Sequence, residues 1–371
     1  MRPNRRHIYG SRNNAEIQGM EGKGMRAWMR SLAVIAALIG PSGIAWAGGL
    51  DRVGTSGALE LRIPVGPEPV ALGGSSVALG GGLSNLYYNP AALASTDRAE
   101  ALALHSTYLA DSKVNYGAVS IPVGSSGMAA ISVKVMNFGD ITVTTEDLPE
   151  GTGEILSPNF AVVGLSYARR MTDRVLVGLT GMFVNERVSD LTARGFAGDI
   201  GVQYDTGWRG LRFGFAMKNI GPNMQFSGGG LEESIIVPGD DPSAQPHVVQ
   251  LQSTSFELPA YLQFGLTYDL TFKEGRTLTV LGAVQSNNYT TDEYRLGAEF
   301  HLGEWLALRG GYTGQLALSE EDRMNDYLYS FSYGAGVGFK LGDTPFKVDW
   351  AGTSVGQFFD DNQQIGVSVA F

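Results

Sequence analysis

From Ala99 to Phe371 the sequence alternates apolar with small or polar side chains in run after run, and the connections between the runs alternate too, tight then long. A strand's side chains have period two, so each such run has one oily face and one polar or small face. The last run shows this: Ile365, Val367, Val369 and Phe371 fall on one face, and Gln364, Gly366, Ser368 and Ala370 on the other. Strands of about ten residues, apolar outward and polar inward, with unequal connections at their two ends, are the pattern of a transmembrane β-barrel. A soluble β-sandwich gives no reason for that asymmetry.

The runs fall near 99–108, 114–122, 127–138, 158–170, 173–187, 193–205, 210–219, 259–272, 276–287, 291–302, 304–313, 328–341, 344–352 and 362–371. They predict an all-β fold, a transmembrane antiparallel barrel of about fourteen strands over 99–371. Tight connections follow Pro122, Arg170, Asp205, Lys273, Leu302 and Gly342, and the longest opposite ones are 139–157, 220–258, 314–325 and 353–361. An even strand count with tight turns on one side places both termini on the periplasmic side of an outer membrane. Tyr108, Tyr204, Trp208, Trp305, Tyr312 and Trp350 sit near run ends, where interfacial girdles or plain β-propensity explain them equally.

Arg26 and Arg30, the apolar run Leu32–Ile39, Pro41 and Ala45-Trp46-Ala47 compose a secretory signal peptide. Residues 1–47 are therefore expected to be removed, with the true start at Met25 or a long basic leader before it. Cleavage would remove seven basic and two acidic residues from a chain whose formal charge is −10. So acidic a product excludes nucleic acid as a partner. The apolar run is too short to span a bilayer, and no later stretch reads as a spanning helix.

Little else points to chemistry. With no cysteine there are no thiolate sites. His105, His247 and His301 are scattered without metal-ligand spacing, so no catalytic, cofactor or metal site is expected. Gly334-Ala-Gly-Val-Gly338 lies inside an alternating strand with no helix after it, which fails the test for a dinucleotide loop. Its glycines instead suit a lumenal face against which something packs. Lumenal Asp199, Arg212, Lys218, Asp269, Arg295 and Glu299 would either line a polar path or pair across strands.

Residues 48–98 differ from the rest. Pro64, Pro67 and Pro69 precede Val70-Ala-Leu-Gly-Gly-Ser-Ser-Val-Ala-Leu79, and Asn89 before Pro90 is a helix N-cap with proline in the first turn. Fourteen strands enclose a lumen wider than wall side chains fill, so this segment, with Leu72, Leu79, Tyr88, Asn89 and Pro90, is expected to fold inward as a plug. An exposed periplasmic arm is the alternative.

The segment Pro67–Leu93, with Tyr88-Asn-Pro-Ala91, resembles the N-terminal hatch of FadL-like barrels. Lys218-Asn-Ile-Gly-Pro222, Phe256-Glu-Leu-Pro259, Leu296-Gly-Ala-Glu299, Leu308-Arg-Gly-Gly-Tyr312 and Ser332-Tyr-Gly-Ala-Gly336 resemble the PorV/PorQ family of outer-membrane proteins. The resemblance implies a fourteen-stranded FadL-like barrel. It also implies a part in type IX secretion, receiving secreted cargo proteins beside a large translocon barrel. A passive channel for hydrophobic small molecules is the competing expectation. The connection 220–258 is long enough to be functional, and its Met224, Phe226, Ile235, Ile236, Val237 and Val248 mark it as a partner-binding loop or a hairpin folded over the mouth. Outer-membrane lipid would surround the barrel, and the assembly machinery would read Ile365, Val367, Val369 and Phe371.

Overall fold

The computed structural model describes residues 54–125, 127–235, 246–272, 275–303, 305–316, 329–356 and 359–371. The signal-peptide segment, Ile236 and Val237 lie outside the described residues. Fourteen strands form the wall: β1 Glu100–Thr107, β2 Lys113–Val123, β3 Gly127–Asn137, β4 Asn159–Arg170, β5 Val175–Val188, β6 Leu191–Asp205 and β7 Leu211–Ile220, then β8 Tyr261–Thr271, β9 Arg276–Asn287, β10 Glu293–Leu302, β11 Leu306–Gln315, β12 Tyr329–Leu341, β13 Thr344–Val355 and β14 Asn362–Ala370. Each pairs antiparallel with the next. The wall closes through β1 and β14, in register from Glu100↔Ala370 to Thr107↔Gln363. A closed barrel leaves no edge unpaired, which is what lipid demands of backbone N–H and C=O groups. Every strand stands within three residues of its place in the sequence pattern.

The period-two pattern sorts the side chains as expected. Leu165, Phe196, Leu296, Phe331, Ile365 and Val367 point outward and are exposed, whereas Gln203, Gln263 and Gln364 point inward and are buried. An apolar belt this continuous is intolerable in water and suits hydrocarbon. No helix among the described residues is long and apolar enough to cross a membrane. Trp208, Phe272, Trp305 and Leu341 are exposed beside the tight turns, where an interfacial girdle belongs. Of the two readings left open for Tyr108, the girdle does not hold: it packs with the inner cluster that includes Met128, Val114 and Leu104 and lines the lumen.

The wall is irregular between β6 and β7. The pairing jumps from Gly198↔Ile220 to Ile200↔Met217, and Asn219 adopts a left-handed φ of 58°. Above the jump β6 pairs with Phe226–Gly228 of the following connection instead, Phe226 opposite Ala193 and Gly228 opposite Leu191. The connection thus completes the wall where β7 stops. Met224, 1% exposed, fills the space over Gly195.

Residues 57–98 lie inside the barrel. They form one α-helix, α1 Pro67–Ala71, and 3-10 turns at Leu59–Arg62, Ser76–Ala78, Gly82–Asn85 and Pro90–Ser95. Asn89 caps the last of these, its side chain accepting from Ala91 N at 3.0 Å. Ser56 bridges Glu257 at the long-connection mouth, while Phe371 N donates to Ala99 O at the tight-turn end. The segment therefore runs down the lumen from one mouth before β1 begins at the other.

Candidate functional site

The inner segment, here the hatch, touches the wall backbone to backbone, which inward-facing glycines permit. A Cβ on Gly178 or Gly201 would strike Pro90 or Asn89, and one on Gly214 or Gly265 would strike Val77. On the other side of the barrel Gly297 and Gly311 admit Leu72–Ser75, and Gly334 admits Ala71. Glycine is the one residue that allows so close an approach. Around this seat, wall side chains donate to hatch carbonyls: Gln203 Nε2 to Val77 O at 3.0 Å, Gln263 Nε2 to Gly74 O at 2.9 Å, Thr313 Oγ1 to Gly73 O at 3.1 Å and Gln364 Nε2 to Pro64 O at 2.8 Å. Lys134 Nζ donates to Glu60 O at 2.6 Å and Ile63 O at 2.5 Å. Carbonyls that no regular helix satisfies are thus satisfied by the wall.

The lumenal charges pair with one another. Arg212 meets Asp269 at 2.7 Å, Lys218 meets Asp199 at 2.5 Å and Arg295 meets Glu293 at 2.5 Å. Arg309 meets Glu299 at 2.8 Å and Asp349 at 2.7 Å. Glu68 of α1 joins this last network through Lys347. Of the two roles the sequence left open for these groups, cross-strand pairing is observed for Asp199, Arg212, Lys218, Asp269 and Glu299, whereas Arg295 pairs along its own strand.

Above the hatch, toward the long connections, lies a cavity of about 960 Å³. Val70, Gly73, Gly74 and Tyr88 form its floor, and Tyr108, Phe138, Phe160, Phe226 and Phe256 line its upper part. Tyr87, Tyr261 and Tyr289 face it from the hatch and the wall, with Glu60, Arg62, Glu186, Glu293 and Arg295 as its charged groups. Arg62 stacks on the Tyr289 ring at 4.1 Å. Burial, with the charge of Glu186 beside it, pushes the Glu60 carboxyl up to about 8. Burial likewise raises the hydroxyls of Tyr87 and Tyr88 well above the usual phenol range. Tyr87 also borders a second, small cavity of about 40 Å³, shared with Leu61, Lys134, Asp199 and Lys218. Its hydroxyl donates to Leu61 O at 2.8 Å, and the ammonium groups of Lys134 and Lys218 lie 4.9 and 4.8 Å from its ring centre. Such a cavity can hold an apolar or weakly polar small molecule: nine aromatic side chains interleaved with polar ones, and a volume within the usual range for ligand pockets. No group of three or more acidic or histidine side chains among the described residues is placed to hold a metal ion.

The residues named from sequence separate into groups. Leu72 and Leu79 pack on Leu281 in the hatch core, Tyr88 reaches the cavity floor, and Pro90 sits on Gly178. Met224 is buried and Phe226 half-buried, both packing with Ala58, Leu61, Leu258 and Phe256. Ile235 and Val248 belong to a hairpin, Glu232–Ile235 with His247–Gln250, on which Val248 is exposed. Ile365, Val367 and Phe371 are exposed on the outer wall. Sequence reasoning missed Glu60, Glu186, Tyr261 and Tyr289, which come together only when the hatch meets three separate wall segments.

No family model matches the chain, and no curated protein matches it. Solved structures do. The Pseudomonas putida toluene transporter TodX aligns over 82% of this chain and 97% of its own, with 13% identity and a TM-score of 0.54. The Ralstonia pickettii toluene transporter TbuX covers the same shares at 14% identity, with a TM-score of 0.51. These likenesses establish the fold as a FadL-like barrel. The expected PorV-like role in type IX secretion is corrected here. The two solved chains above, which share the architecture over most of their length, are toluene transporters. Motifs such as Lys218–Pro222 misled because their residues do structural work: Lys218 clamps the hatch at Tyr87 O, and Asn219 makes the jump in the wall.

Proposed function

We propose that the chain is a passive outer-membrane channel for hydrophobic small molecules, with no enzymatic step. The cavity carries this reading: an aromatic chamber that is floored by the hatch and faces the mouth with the long connections. The toluene transporters of like fold support it. In this reading the long connections face outward, and the tight turns and Phe371 face the periplasm. Lipid wets the apolar belt, and the assembly machinery reads β14. The short motifs shared with PorV/PorQ barrels then mark common construction of strands and hatch. Uptake of labelled toluene by cells carrying the chain, against cells lacking it, tests the reading. Ser332 lies on the cavity wall, so Ser332→Trp should obstruct the chamber and cut uptake several-fold while heat-modifiable gel migration stays native. Uptake no greater than in cells lacking the chain would sink the proposal.

A further inference from the structure

Glu60 is 1% exposed and lines the cavity; its carboxyl bonds to that of Glu186 and takes no hydrogen bond from any other group among the described residues. Glu186, 3% exposed, lines the same wall beside it. A carboxyl pair sharing one proton leaves buried acceptor oxygen without a donor, which costs stability, so a chamber whose only task was to be greasy would not keep one. From this geometry we propose that Glu60, with Glu186, is a polar subsite of the cavity, and that the ligand it takes is an uncharged aromatic bearing a hydroxyl, of the phenol class, whose O–H donates to Glu60.

The charges around the chamber argue for neutrality. Glu186 and Glu293 oppose an anion. Arg62 and Arg295 on the lining oppose a cation, and so does Lys134, whose Nζ is 2.6 Å from the Glu60 carbonyl. Arg295 is occupied by Glu293, and Arg62 lies on the Tyr289 ring, so neither stands open to a carboxylate. The rings of Tyr87, Tyr261 and Tyr289 offer edges and faces to an aromatic guest. Burial keeps the Glu60 carboxyl largely protonated at neutral pH, and its carbonyl oxygen then remains free to accept.

The inference rests on the channel reading, and the test separates the two. p-Cresol and p-xylene differ by a hydroxyl in place of a methyl. A chamber without an acceptor binds p-xylene the tighter, because p-cresol must strip water from its hydroxyl. A site built to receive that hydroxyl reverses the order. Equilibrium dialysis of the full chain at pH 7 against matched detergent should give p-cresol the tighter binding by about tenfold, one good hydrogen bond. Glu60→Met should reverse the order, with native heat-modifiable migration as the check on folding. The order in the unsubstituted protein decides the matter even if that variant misfolds. Tighter binding of p-xylene, or of 4-methylbenzoate or 4-methylbenzylamine, overturns the inference and leaves the channel reading standing. Binding of none of the four overturns both.

Discussion

Gly310 and Gly311 are adjacent in β11 and face opposite ways. A Cβ on Gly310 would meet nothing within 4 Å, whereas one on Gly311 would strike the Leu72–Gly73 backbone of the hatch. Gly311→Ala should therefore cost about 1–3 kcal/mol as an overpacked contact, and Gly310→Ala should stay within about 0.5 kcal/mol. Denaturant unfolding of the two variants side by side checks this; equal effects would mean that the hatch does not sit on the wall as described. Glu60 makes a pH prediction. Its carboxyl is raised from 4.5 to about 8 by burial and the charge of Glu186, with Lys134 opposing. The folded state thus keeps a proton that the unfolded chain releases. The stability this contributes is full below about pH 4.5 and is lost as pH rises toward about 8. The native chain should unfold at lower denaturant at pH 9 than at pH 5, and Glu60→Gln should flatten that slope. An unchanged slope in the variant would remove Glu60 as its source.

The connection between β7 and β8 is two devices joined in sequence. Met224, Phe226, Phe256 and Leu258 pack into the wall, Phe226 and Phe256 also lining the cavity, while the Glu232–Ile235 and His247–Gln250 hairpin stands apart from that cluster. Replacing 230–251 with a short turn should leave folding and toluene uptake near native. Replacing 222–258 should open the wall beside β6 and cost both. If the first replacement abolished uptake, the hairpin would be part of the site. The strands themselves were legible because period two holds along most of their length, from Leu102 and Leu104 inward to Ile365 and Val367 outward, and breaks only locally, as at Lys218-Asn219. The hatch was legible only as an exception, through prolines, glycines and the Asn89 cap, since 3-10 turns carry no long period. The cavity was not legible at all. Glu60, Glu186, Tyr261 and Tyr289 are separated by up to 229 positions, and no local pattern marks residues that meet only through tertiary contact. Tyr108 stayed open between girdle and plain β-propensity for a related reason: its position at a strand end fits either, and only its packing shows that it turns in.

A barrel of fourteen strands must fill or flood its interior, because side chains alone fill only about eight strands' width. Here the interior is filled by the hatch, held by a ring of side-chain donors, and the lumenal charges are matched as pairs rather than left to water. A channel built this way passes what can dissolve among aromatic rings and stops what needs a continuous aqueous path. The full chain in lipid vesicles should therefore release trapped glucose no faster than vesicles without protein. Gln203 and Gln263 fasten opposite parts of the Gly74–Leu79 stretch, through Val77, Leu79 and Gly74 carbonyls. Replacing both with Leu leaves the Gly74 and Leu79 carbonyls facing an apolar wall, while Val77 O keeps only Asn89 Nδ2 at 2.7 Å, and an unpaired carbonyl prefers water to that. The double variant should keep its barrel, by heat-modifiable migration, yet leak glucose and expose the hatch to protease. Tight vesicles with that variant would show that glycine contacts alone seal the lumen. Leaky vesicles with the unaltered chain would contradict the sealed interior itself.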